Sequence, residues 1–264
     1  MSESPTKPPL SPTLIALVVV GVLAAAFFIY WQLTRGLSAP EPSAPVAEAP
    51  PPAPPPAPEP ELDLPPLEES DPVVREMLEE LSEHPRFAAW LTPKRLVRRF
   101  VASVDTASRG ESPRAHLRFL EPSGEFKVRE KNEELLVDPA SYARYDRLTE
   151  IFLSIDTRTG ERLYRGLKPL FDRAYQDLGY PDGDFDQPLA KAIDHILETP
   201  IPQGPVELEQ RITGFRYRDP ALQNLSEAQK HYLRLGPENM RQVHAKLRLM
   251  QTALGLTEAQ RDAL

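Results

Sequence analysis

The chain has 264 residues, a formal net charge of −8, 31 prolines and no cysteine. The missing thiol excludes disulfides, thiolate metal sites, iron–sulfur clusters and a cysteine nucleophile. Residues 1–70 hold eight acidic and two basic groups against 31 and 29 in residues 71–264, so the later region is almost neutral and lacks the basic excess of a steered nucleic-acid binder.

Residues 1–13 read as a short cytoplasmic tail. They lead into LIALVVVGVLAAAFFIYWQL, residues 14–33, an uncharged run whose twenty positions, at about 1.5 Å per helical residue, match the roughly 30 Å of a bilayer's hydrocarbon. Phe27, Phe28, Tyr30 and Trp31 gather at its far end, where an aromatic belt meets headgroups. The sequence predicts a transmembrane helix over 14–34. A cleaved signal peptide fits less well: its apolar core is usually about 7–15 residues, and here Leu37-Ser38-Ala39 is followed by Pro40, a poor residue after a cut. Lys7 and the α-amino group precede the helix and Arg35 alone follows it, a bias that keeps the N-terminus in the cytoplasm and puts the bulk of the chain beyond the membrane.

Thirteen prolines fall between Pro40 and Pro66, and APPPAPPPAPEPE at 49–61 offers neither apolar periodicity nor side chains that bury much surface. Residues 35–70 are therefore expected to be a disordered spacer rich in proline, alanine and glutamate. Polyproline II preference and repulsion among its acids keep such a segment extended.

From residue 71 the pattern changes to capped helices. A capping residue stands directly before a proline at Asp71-Pro72, Thr92-Pro93, Ser112-Pro113 and Asp138-Pro139, with glycine in that place at Gly236-Pro237, and each pair predicts a helix start. Leu163, Leu167, Leu170, Phe171, Ala174 and Leu178 form a stripe between a cap at Asp156 and a stop at Gly179, and Pro169 is expected to kink or split that helix. Met240, Val243, Leu247, Met250 and Leu254 form a second stripe that ends at Gly255. Further helices are expected near 72–82, 86–91, 93–108, 113–119, 139–154, 187–198 and 226–235, Ser226 capping the last. EFKVREKNEELLVD, turning around Lys131-Asn132, and VELEQRITGFRYR alternate weakly, as short hairpins do. The expected fold is mostly α: a transmembrane helix, a disordered linker, and one multi-helix globular domain over 71–256 with one or two short β-hairpins, then a tail at 257–264.

YPDGDFD at 180–186 alternates Asp182, Asp184 and Asp186 as calcium loops do, but the sixth and twelfth places counted from Asp182 are Gln187 and Ile193 instead of glycine and glutamate. A turn at Pro181-Asp182-Gly183, with Asp184 or Asp186 capping the next helix, explains the spacing better. The histidines show no metal-ligand spacing, and nucleophile-elbow and phosphate-cradling glycine motifs are missing, so no metal, cofactor or catalytic residue is assigned. Lys168 and Asp172, four apart beside Tyr164 and Pro169, make one candidate binding surface, and Asp182, Asp184 and Asp186 are separate candidates in the turn that follows. Lys230, Arg234 and Arg241 make another at the Gly236-Pro237 junction, where the first turn of a helix meets anionic groups. KRLVRRF at 94–100 reads as the solvated face of a helix whose Leu96, Val97 and Phe100 point inward.

YDRLTEIFLSID (145–156), YRGLKPLFDRAYQDLGYPDGDFD (164–186), QKHYLRLGPENMRQVHAKLR (229–248) and HPRFAAWL (84–91) resemble a bacterial family catalogued as domain of unknown function 3014. The likeness spans roughly residues 70–255. It implies a Gram-negative envelope protein with a membrane anchor and carries over no catalytic residue.

The leading expectation is a non-enzymatic, single-pass protein of the bacterial inner membrane. The bilayer holds residues 14–34, and the periplasmic domain binds an envelope protein or the cell wall, not nucleic acid. One alternative is a glycan hydrolase pairing Glu161 with Asp182, Asp184 or Asp186. Another is an energy-transducing or export component, against which the size and helicity of the domain weigh.

Overall fold

The computed structural model describes residues 63–261. The expected transmembrane segment at 14–34 and most of the 35–70 spacer lie outside those residues; among the described ones, no helix is long and apolar enough to cross a membrane. Leu67 is buried and Leu64 packs against the same apolar cluster, so the core takes in the last residues of the stretch read as spacer.

Capping decides where the first helices begin. α1 (Asp71–Glu79) starts at the expected Asp-Pro pair, but the Asp71 carboxylate serves a different helix, accepting the N–H groups of Arg95 and Leu96 at 2.6 and 2.9 Å. α2 (Leu96–Ser108) therefore begins at Leu96 and not at the predicted Thr92-Pro93, with Arg95 ahead of it at a left-handed φ of 58°. The helix expected at 86–91 is a 3-10 turn over Phe87–Leu91, and the one expected at 113–119 is two such turns, Pro113–Ala115 and Arg118–Leu120. Ser112 makes no capping bond because its hydroxyl faces His231 Nδ1, 3.3 Å away.

β1 (Val128–Lys131) and β2 (Glu134–Val137) form a hairpin that turns at Asn132-Glu133, one residue beyond the predicted centre, with φ of 51° and 64°. In α3 (Pro139–Ala143), Asp138 accepts the Ala140 N–H at 2.7 Å as expected, but the predicted 139–154 helix breaks at Arg144-Tyr145 before α4 (Asp146–Leu153). α5 (Thr157–Gln176) is capped by Asp156 on the Thr159 N–H at 2.7 Å and continues through Pro169, so of the expected kink or split the split does not occur. Its stripe from Leu163 to Ala174 is buried, whereas Leu178 lies past the helix end and is exposed. α6 (Asp186–Leu197) follows a turn in which the Gly183 N–H donates to the Tyr180 carbonyl at 2.9 Å.

β3 (Glu207–Arg211) and β4 (Gly214–Tyr217) form the second hairpin. β2 pairs antiparallel with β3, Leu135 opposite Leu208, so the two hairpins merge into one four-stranded sheet in the order β1-β2-β3-β4. α7 (Pro220–Gln223), which the apolar pattern did not predict, is capped by Asp219. α8 (Glu227–Tyr232) opens with a capping box between Ser226 and Gln229, and a 3-10 turn at Leu233–Leu235 leads into α9 (Gly236–Leu254), closed by Gly255 at φ 75°. α10 (Glu258–Arg261) falls in the stretch read as a tail.

α1, α2, α5 and α6 enclose the larger apolar core, around Val101, Leu167 and Phe185. The sheet, α8 and α9 enclose a second, around Tyr232, Met240 and Val243, and a small third joins Phe87, Leu91 and Ile151. Leu247 of α9 packs against both larger cores and ties them together.

The start of α9 is fixed by one contact. Gly236 has a φ of 78° and lies so close to Tyr142 of α3 that a Cβ would fall 2.4 Å from the ring Cγ. Only glycine meets both conditions. Gly236→Ala is expected to lower the unfolding free energy by about 2–5 kcal/mol in a urea titration; an unchanged midpoint would show that the contact relaxes freely.

Candidate functional site

Four of the residues singled out in the sequence meet at Lys168 of α5. Its Nζ donates to both Asp172 carboxylate oxygens, at 2.7 and 3.0 Å, and to Asp184 at 2.5 Å, and Asp186 stands 3.7 Å away. Helical i,i+4 spacing supplies the first contact, and the turn before α6 brings the other two carboxylates back over α5. Asp172 also accepts the Phe185 N–H at 2.9 Å, Asp184 the Asp186 N–H at 3.0 Å, and Asp186 the Tyr164 hydroxyl at 2.5 Å. Asp182 stays outside the cluster, exposed in the turn.

This group fastens the start of α6 to α5. Burial works to raise the Asp184 carboxyl, but the hydrogen bond from Lys168, the Asp186 N–H and the charge of Lys168 outweigh it and hold Asp184 below the usual carboxylate range. A general acid needs the opposite shift. Glu161, the other half of the hydrolase pair, is bound to Arg165 at 3.1 Å. Among the described residues no group of three or more His, Asp or Glu is placed to hold a metal ion; the ammonium of Lys168 takes the position between the carboxylates.

The second set leads to a cleft. Lys230 and Arg234 border a hollow of about 480 Å³ beside the sheet, with Phe126, Tyr142, Arg144, Phe215, Arg216 and Tyr217. An adjoining hollow of about 440 Å³ is bordered by Arg114, Glu121 and His231, and again by Arg144 and Arg234. Arg241 lines neither; it is exposed and paired with Glu238 at 3.0 Å. The Gly236-Pro237 turn is not the open anion site expected, because Gly236 is buried under Tyr142 and the nearby Asn239 amide holds the Asp146 carboxylate at 2.8 Å.

Most cations along this cleft already have partners: Arg216 with Glu209 at 2.5 Å, Lys230 with Glu227 at 2.8 Å and Arg114 with Glu121 at 2.6 Å. Arg144 and Arg234 differ. Arg144 donates to the carbonyls of Gly124 and Ser141 at 2.6 and 3.3 Å and lies 5.6 Å from the Tyr145 ring centre. Among the described residues, neither arginine has a carboxylate within ion-pair distance. Exposed Phe126 and Phe215, with ring centres 5.8 Å apart, stand beside them.

Burial, then the charges of Arg234 and Arg114, push the His231 imidazole down to about 4, against the pull of Glu121. His231 is therefore neutral at pH 7, and the positive charge of the cleft belongs to its arginines. Burial also pushes the Tyr142 hydroxyl up to about 12, with Tyr217 adding to the shift, so it stays protonated beside them.

Sequence reasoning missed Arg144 and the aromatic pair. Arg144 occupies a helix break that periodicity did not predict, and Phe126, two residues before β1, is far in the chain from Phe215 of β4. The available signal was SYARYDR at 141–147, an aromatic and basic run that helical spacing alone treats as surface.

The model of a family described as Protein of unknown function (DUF3014) matches residues 96–251, a span that contains every cleft residue named above. No curated protein and no solved structure matches the chain.

Lys168→Met leaves three carboxylates facing one another and is expected to cost about 1–3 kcal/mol at pH 7. Part of that loss should return at pH 5 as the crowded carboxylates take up protons, and a loss that does not depend on pH would contradict the charge argument. For His231 the folded state binds the proton less readily than the unfolded one, so its contribution is full above about pH 6.5 and is lost as the pH falls toward about 4. Urea titrations should show wild type losing about 1–3 kcal/mol more than His231→Gln between pH 7 and pH 4; parallel curves would contradict the burial.

Proposed function

The chain belongs to the family described as Protein of unknown function (DUF3014), and from that premise we propose that its folded region is a non-catalytic binding module of the bacterial cell envelope, taking an anionic group of an envelope protein or wall polymer between Arg144 and Arg234. The observation that carries this reading is the pair of arginines without counter-charge, set in a cleft and flanked by exposed aromatic rings. An Arg guanidinium seeks planar anionic partners, and one left without a carboxylate in a recess is a natural receptor for such a group.

The cellular setting is part of the same proposal. We place residues 14–34 in the inner membrane with the N-terminus in the cytoplasm, and the domain in the periplasm at the end of the proline-rich arm. The uncharged run and its aromatic end support the anchor, and the acidic, proline-dense composition supports an arm that resists collapse. The glycan-hydrolase alternative is weakened because Glu161, which each of its pairings needs, is held by Arg165, and Asp184 and Asp186 face Lys168. The mostly helical fold weighs against an energy-transducing or export tip.

A photoreactive amino acid at Phe215, compared with one at exposed Leu249 on α9, tests the cleft in intact cells. A discrete adduct is expected from position 215 only, and combining Arg144→Ala with Arg234→Ala should weaken it about tenfold or more. Equal adducts from both positions, or an adduct indifferent to the arginines, would overturn the proposal.

A further inference from the structure

A third hollow lies against the larger core and is lined by none of the cations of the basic cleft. It has a volume of about 420 Å³ and is walled by α1, α2, α5 and the turns around Phe119, with side chains that are nearly all aliphatic or aromatic. That volume is within the range of small-molecule sites, near its lower end.

The polar side chains that touch this hollow, apart from the Trp90 indole, are engaged elsewhere. Ser103 donates to the Arg99 carbonyl at 2.6 Å, Thr157 accepts from Lys246 at 3.1 Å, Tyr164 donates to Asp186 at 2.5 Å, and Glu161 is held by Arg165 at 3.1 Å. Water in such a space finds few partners. The hollow opens to solvent, and the apolar surface that it leaves facing water forgoes about 25 cal/mol per Å² of burial. An apolar occupant resolves both difficulties.

The rim specifies the other end of that occupant. Phe100 and Phe119 stand at 40 % and 41 % exposure, although the spacing of KRLVRRF predicts Phe100 inside. Arg99 also borders the hollow and donates to the carbonyls of Lys94 and His116 at 3.0 and 3.4 Å. Lys94, Arg95 and Arg118 are exposed on the same two segments. Among the described residues, none of these four cations has a carboxylate within ion-pair distance, whereas Arg98 between them is bound to Glu68 and Asp177.

We propose that this hollow takes the acyl chain of a single-chain anionic lipid, a long-chain fatty acid, with its carboxylate at Arg99. The volume suits one chain better than two, and the basic rim matches a negative head.

The test uses the full chain in phosphatidylcholine nanodiscs, loaded with palmitic acid that bears a diazirine near its chain end, and irradiated. Crosslinks are expected within residues 96–103, 117–120 and 160–171, and unlabelled palmitate should compete them away. Gly160→Leu fills the hollow from a helical position where a Cβ meets only Leu81 Cδ2 at 3.8 Å, and should cut the yield about tenfold. Arg99→Gln combined with Arg118→Glu should do the same for palmitate while sparing a diazirine-bearing hexadecanol, a contrast that mere unfolding would not produce. Crosslinks confined to residues 1–62, or yields indifferent to both changes, would overturn the proposal. Stronger labelling of the hollow by photoreactive phosphatidylglycerol than by palmitate would overturn it too, because the ligand would then be a two-chain lipid.

Discussion

The close approach of Gly236 to the ring of Tyr142 sets the geometry on which the cleft depends. Tyr142 stands two residues before Arg144, and Gly236 two residues after Arg234. Pressing the start of α9 against that ring therefore sets both arginines on the walls of one recess. The same contact fixes where α9 departs, and α9 carries Leu247 into both larger cores. A side chain at 236 would have to displace an aromatic ring and adopt a backbone conformation that costs an L-residue about 1–2 kcal/mol. One missing Cβ thus links local backbone freedom to the alignment of two cores and to the placing of two charges.

Charge plays two roles in this domain, and the counter-charge decides which. Lys168 is surrounded by three carboxylates, two of which also accept backbone N–H groups, so the cluster is complete in itself and fixes a helix start. Arg144 and Arg234 are the same chemistry without the anion. Apolar surface left facing solvent works against stability, and half-buried Arg144 gives up water without gaining a carboxylate, whereas Arg234 stays exposed. Departures of that kind from a self-consistent fold are where function is to be sought. Surface pairs such as Arg241 with Glu238 contribute little either way.

Much of the helical frame was legible because its signals are local. Asp138, Asp156 and Ser226 cap the helices that their positions announce, Gly255 closes α9 in the left-handed region, and the stripe from Leu163 to Ala174 is buried as its spacing requires. What the sequence hid is non-local. Asp71 caps a helix that begins 25 residues later, so α1 starts at its Asp-Pro pair without that cap and Thr92-Pro93 does not start a helix as a local reading predicts. Each hairpin shows in its own alternation, but nothing in either stretch announces that β2 pairs with β3 across the intervening helices. At the candidate site, Lys168 and Asp172 are joined by helical spacing and could be read directly, whereas the arrival of Asp184 and Asp186 depends on the turn between α5 and α6. Arg241 is near Arg234 in sequence yet outside the cleft, because it follows the turn at Gly236 and pairs along its own helix.

The natural lack of cysteine offers the most direct check on whether this cleft faces an envelope partner. Arg234→Cys introduces a single thiol at its wall, and a membrane-impermeant maleimide can be applied to cells whose outer membrane alone has been opened. Full labelling with the inner membrane intact is the expected result. Labelling that appears only after the inner membrane is ruptured would put the cleft in the cytoplasm and contradict the envelope role.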